Sequence, residues 1–149
     1  MSGLEVVVRP RHDNGGLNAR YDEESGILSV ESCVQRPWPF GVDIDGNLVF
    51  DLDAQRILAN FDLHIPRDRW ERDWTPIDPP AARSGDLEFT CSTVTQKSFH
   101  LPISVRMDPA SRQVSIDFAR GNVGEFVGLS ESCFAIVSGS ELRGFLLTI

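Results

Sequence analysis

Basic residues, cysteine and long apolar runs are all scarce in this chain, and each scarcity excludes something. Lys and Arg number 14 against 22 Asp and Glu over 149 residues, a formal net charge of -8. A nucleic-acid backbone is therefore an unsuitable partner, because phosphate binding is driven by Lys and Arg. No apolar run approaches the roughly 20 residues that span a bilayer, and MSGLEVVVRPRHD lacks the basic head, apolar core and small-residue cleavage site of a secretory leader. The expectation is a soluble cytoplasmic protein that meets no membrane. The three cysteines, Cys33, Cys91 and Cys133, form an odd set with no CxxC spacing, which fits buried thiols in a reducing compartment. Neither a GxSxG nucleophile elbow nor a GxGxxG or P-loop phosphate cradle is present. No catalytic residue and no cofactor is assigned.

What the chain does have is order on the scale of its halves. Residues 4–65 can be laid over residues 87–149 with short shifts in register. Leu4-Glu5 meets Leu87-Glu88, Arg20-Tyr21-Asp22 meets Arg106-Met107-Asp108, and Phe40 meets Phe126. At the end, Leu58, Phe61, Leu63 and Ile65 fall in phase with Leu142, Phe145, Leu147 and Ile149. The organisation expected is a first β repeat over 1–65, a linker over 66–86 and a second β repeat over 87–149, packed as one domain. Residues 66–85 hold four of the nine prolines and two of the three tryptophans. Proline at that density cannot donate ladder hydrogen bonds. One or two helical turns over 67–74 are expected after Pro66, a residue suited to a helix start. Trp70 and Trp74 either pin this linker onto the sheet or anchor a partner.

Strands are expected over 4–9, 17–21 and 27–31, with a hairpin returning through Asp13-Asn14-Gly15-Gly16, whose residues accept positive φ. The stretch from Phe40 to Trp70 predicts three antiparallel strands. Alternation places Val42 and Ile44 on one face and Leu48, Phe50 and Leu52 on one face of the next strand. Only a three-residue Asp45-Gly46-Asn47 turn makes those faces agree, pairing Ile44 with Leu48 and Val42 with Phe50. The loop after Leu52 then pairs Leu52 with Ile57, Phe50 with Ala59 and Leu48 with Phe61. Second-half strands are expected over 87–94, 101–107, 114–118, 133–137 and 142–149.

This register leaves Asp43, Val49, Asp51, Leu58, Asn60, Asp62 and His64 on the opposite face, with Asp45 at its rim near His64 and Asn47 near Asp62. The candidate binding residues are Asp43, Asp45, Asp51, Asp62, His64, Trp70 and Trp74. No metal is assigned. Were one held, Asp43, Asp45, Asp62 and His64 would supply oxygen-rich ligands of the kind Ca²⁺, Mg²⁺ or Mn²⁺ takes, although DIDGN lacks EF-hand spacing. The acidity belongs to the front: residues 1–65 carry -6 of the charge. In the second half, Ala135, Val137, Leu142 and Leu146 are expected to share one apolar face, covered by the other half or by a second subunit in a homodimer.

Tyr21-Asp22, then Leu28 and Val30, then Val42-Asp43-Ile44-Asp45-Gly46-Asn47-Leu48-Val49 resemble a small bacterial family, domain of unknown function 2283. The resemblance covers residues 21–54 and implies a compact β-rich unit with no activity attached. The fold class expected is mainly β and antiparallel: two similar five-stranded halves, an internal duplication, forming a sandwich or barrel-like core with minor helix in the linker. The function expected is a non-catalytic binding or interaction protein, of a bacterial immunity or accessory kind, whose acidic first half meets a basic protein partner. The alternative is a small enzyme or ligand carrier with its site between the halves.

Overall fold

A computed structural model describes residues 3–11, 16–32, 37–79, 83–90, 96–110, 112–118 and 124–149. Its regular secondary structure is almost wholly strand. In the first half β1 is Leu4–Arg9, β2 Leu17–Asp22, β3 Ile27–Ser32, β4 Phe40–Ile44, β5 Leu48–Leu52 and β6 Leu58–Leu63. Then follow β7 (Arg83–Ser84), β8 (Asp86–Phe89), β9 (Gln96–Phe99), β10 (Ile103–Met107) and β11 (Gln113–Phe118). The last three are β12 (Glu125–Gly128), β13 (Cys133–Ser138) and β14 (Glu141–Thr148). Among the described linker residues the helical content is a single 3-10 turn, Arg67–Arg69, the lower end of the one or two turns expected over 67–74. No helix among the described residues is long and apolar enough to cross a membrane.

The strands form two sheets. One runs β2-β3-β6-β5-β4-β9; the other runs β10-β11-β14-β13-β12-β7 and takes in β1 and β8. Two pairings, β4 with β9 and β12 with β7, are parallel, so the sheets are mixed rather than purely antiparallel. Each parallel pair joins a strand of one half to a segment from beyond it in sequence, which a hairpin cannot supply.

The chain also crosses between sheets at its start. The hairpin expected between β1 and β2 does not form: β1 pairs with β8 and, at Leu4 and Glu5, with β14. Reciprocally, Glu88 of β8 bridges Ile57, and the Phe89 N–H donates to Arg56 O at 2.9 Å. Residues 12–15, where the turn was expected, lie outside the described residues. β8 ends at Phe89 rather than continuing to 94, and residues 91–95 also lie outside them.

In the central meander the three-residue turn is found: Ile44 pairs with Leu48 and Val42 with Phe50. Asp45 (φ +54°) and Gly46 (φ +72°) both take the left-handed region, and Asn47 N–H donates to Ile44 O at 2.9 Å. The next register is two residues off expectation, with Phe50 opposite Phe61 and Leu48 opposite Leu63. The cause is local. Asp53 Oδ1 accepts from the N–H groups of Gln55 and Ile57 at 2.8 and 3.0 Å, Asp53 N–H closes onto Ile57 O, and a bulge follows at Asp51/Leu52. An even shift keeps parity, so Phe61 and Leu63 stay inside, but the bulge turns Leu58 into the core instead of outward.

One apolar core lies between the sheets. Phe61 and Phe145 meet with ring centroids 4.5 Å apart, Phe50 lies 5.1 Å from Phe89, and Phe118 meets Phe145 edge-on at 6.2 Å. Aromatic pairs in these geometries add to the burial term. Ala135, Val137 and Leu142 belong to this core, whereas Leu146 is buried on the other side of its strand, between neighbours Phe145 and Leu147 that point inward. The four therefore do not share a face. The offset that aligned them is broken by a bulge between Ile136 and Val137. Gly144 permits close strand approach there: a Cβ on it would meet Ile116 O at 2.2 Å.

Candidate functional site

The outward face of the six-stranded sheet is built by alternation. Val30, Val42, Phe50, Phe61 and Leu63 are buried in the core, so the residues between them project to the other side. Cross-strand pairing sets Glu31 opposite Asn60, Asn60 opposite Asp51, Asp62 opposite Val49 and Val49 opposite Asp43. Four carboxylates on neighbouring strands thus surround Asn60 and Val49.

Their environments differ. Asp43 is half-buried and accepts the Gly46 N–H at 2.8 Å, which stiffens the turn. Glu31 is exposed and pairs with Arg20 Nη2 at 3.3 Å. Asn60 Nδ2 donates to Asp51 Oδ2 at 2.6 Å. Burial pushes the Asp51 carboxyl above its ordinary range; the Asn60 hydrogen bond opposes this and the Asp62 charge adds to it. Asn60 is only 5% exposed, and its Oδ1 is enclosed without a hydrogen-bond partner.

Not every expected residue joins this face. Asp45 turns to the second half: its carboxylate contacts His100 Nδ1 and accepts the Leu101 N–H at 3.2 Å, and its own N–H donates to Phe99 O at 3.1 Å. His64 is exposed at the end of β6, where its N–H donates to Asn47 O at 2.8 Å; the histidine beside Asp45 is His100. Sequence reasoning missed His100 because β9 reaches β4 through a parallel pairing with no hairpin signal. Among the described residues no group of three or more His, Cys, Asp or Glu is arranged to hold a metal ion.

Trp70 is buried against the core. Its Nε1 donates to Ile65 O at 2.9 Å and its ring meets Tyr21 edge-on at 5.7 Å, so it pins the linker. Trp74 is half-buried with the Arg106 guanidinium 5.4 Å above its ring. The tryptophan that faces solvent is Trp38, 49% exposed just before β4, which no sequence pattern marked.

Other chemistry finds little footing in the described residues. Cys133 is a free, buried thiol whose pKa burial pushes far up, away from the reactive thiolate. Cys33 and Cys91 lie outside the described residues. Shallow clefts of about 280 Å³ beside Arg69, Glu71 and Arg106 and about 350 Å³ beside Tyr21 and Arg67 open on the surface. Between the sheets the described residues pack an apolar core centred on aromatic rings.

The sequence matches no protein-family model, and a search of curated proteins gives no significant match.

Proposed function

We propose that the protein is a non-catalytic interaction protein that presents the outward face of its six-stranded sheet to a basic protein partner. The observation that carries this reading is the alignment of Glu31, Asp43, Asp51 and Asp62 on one face of adjoining strands, backed by a core packed with aromatic rings. Carboxylates gathered on a rigid sheet give a field that steers a cationic surface and fixes its register. The apolar core that the described residues pack between the sheets counts against a ligand carrier with its site there. The family resemblance over 21–54 and a bacterial immunity or accessory role remain part of this proposal.

The two halves we read as diverged copies. The sheets follow matching orders, Arg20–Glu31 and Arg106–Asp117 are ion pairs at matching places, and both inner hairpins carry a bulge at the same step. On that reading Asp51, Asn60 and Asp62 correspond to Ile136, Gly144 and Leu146, so only one copy bears the acidic face.

The test is co-purification from cells with wild type and with Asp43→Asn/Asp51→Asn/Asp62→Asn. The expected result is a partner held by wild type in a salt-sensitive complex and lost by the variant. Recovery of the same partners by both proteins would overturn the reading.

A further inference from the structure

The surroundings of Asn60 specify the partner's chemistry more closely, a step that rests on the interaction reading above. Asn60 projects from β6 with Glu31 across the β3 side, Asp51 across the β5 side and Asp62 as the next outward residue. Its Nδ2 is used on Asp51, and its Oδ1 is enclosed with no donor. A buried amide oxygen without a donor is unfavourable. Here it sits among three carboxylates that are themselves acceptors. The donors bonded to these carboxylates are Asn60 Nδ2 and, at the rim, Arg20 on Glu31, while Ser29 of β3 stands across from Asp62. Acceptors outnumber donors in the cluster, and a cationic donor answers both the charge and the unpaired oxygen.

The geometry selects among cations. Facing residues on adjacent strands have Cβ atoms about 5 Å apart, whereas a bare metal ion needs several oxygens to converge on one point within about 2.6 Å of it. No such convergence exists among the described residues. An ammonium is a compact point charge with three donors; a guanidinium is a planar fork of five N–H groups that reaches several separated acceptors at once. The chain already places one guanidinium, Arg20, at the edge of this cluster.

We propose that Glu31, Asp51, Asn60 and Asp62 form an anchor for one arginine side chain of the protein partner. The incoming guanidinium takes the place of the Glu31 side chain beside Asn60, is flanked by the Asp51 and Asp62 carboxylates, and reaches Asn60 Oδ1, enclosed in the free protein, as the cluster opens around it. Glu31 is exposed, and its ion pair with Arg20 lies in solvent. It therefore swings aside, exchanging the internal arginine for the partner's, at little cost.

The test uses the full chain and two capped peptides as probes, Gly-Gly-Arg-Gly-Gly and Gly-Gly-Lys-Gly-Gly, followed by NMR. The arginine peptide is expected to shift the Asn60 side-chain amide signals and to bind about fivefold or more tighter than the lysine peptide. Asp62→Asn and Asn60→Ala each weaken it by about tenfold, one charge-assisted hydrogen bond's worth, whereas Asp68→Asn, on the exposed linker turn, leaves it unchanged. Asp62→Asn guards against a fold defect in the Asn60 variant. Equal binding of the two peptides, lost when Asp43, Asp51 and Asp62 are neutralised, overturns the arginine anchor and leaves the interaction reading standing. No shift at Asn60 also overturns the anchor. If, in addition, the neutralised triple variant recovers the same cellular partners, both readings fall.

Discussion

Asp51 sits where burial disfavours its charge and the adjacent Asp62 adds repulsion. A carboxyl whose folded-state pKa is raised contributes stability that is fully present below its unfolded value and is lost as pH rises through the folded one. Asp51→Asn keeps an acceptor for Asn60 Nδ2 and removes the charge. The variant should therefore melt a few degrees above wild type at pH 7, a small gap because the group is partly solvated. The gap should close as pH falls to about 4, as circular dichroism melts across that range will read. A wild type equal to or more stable than the variant at pH 7 contradicts this account. The same substitution weakens the proposed partner contact, the trade of stability for function common at binding sites. Asp22 and Asp108 act in the opposite sense. Ser25 and the Glu24 N–H hold Asp22 below the usual range; at Asp108 burial pushes upward but the N–H groups of Gln113, Arg112 and Ala110 outweigh it. Both contribute stability above the unfolded carboxylate pKa that is lost as pH falls through their folded values.

The linker shows how little regular structure an element needs in order to be held. Its prolines prevent a continuous strand, yet Glu71 exchanges hydrogen bonds with Val105 and Met107 along the β10 edge, and Gln113 bonds both the N–H and the C=O of Ile77. This segment covers an edge that would otherwise invite pairing with another chain. Trp70 is its anchor. Trp70→Ala should cost about 3–5 kcal/mol in urea unfolding, while Trp38→Ala, at a solvent-facing ring, should stay within about 0.5 kcal/mol of wild type. Comparable losses for the two would contradict the anchoring role. At this scale the tryptophans and prolines marked 66–79 as a stretch without a regular strand from residue types alone. The Asp45-Gly46-Asn47 turn was legible too, because parity allowed one loop length. The bulges were not, since a side chain such as Asp53 closes a longer loop without disturbing the apolar alternation on either side.

At the scale of the molecule, each half lends a strand to the other. β1 lies in the sheet of β14, β8 reaches the first half at Ile57, and β1 and β8 pair through Val6 to Arg9. Neither half retains its full hydrogen bonding alone. A protease site placed between Pro79 and Arg83 in the full chain should, once cut, leave two fragments that elute together as one 16.6 kDa species and unfold in a single transition. Fragments that separate under native conditions would contradict this.

The residues by themselves determined that the protein is built of strands, which face of each central strand is apolar, and that Asp43, Asp51 and Asp62 point away from the core, because side-chain alternation is a local property with a period of two. Where β1, β8 and β9 pair was decided only by the tertiary structure. Pairings across scores of residues leave no turn signal, and the backbone groups of one strand suit many partners. The same reason explains the site: Asp43, Asp51 and Asp62 were placed by alternation, whereas the loss of Asp45 to His100, and the enclosure of Asn60 among three carboxylates, follow from which strands lie side by side.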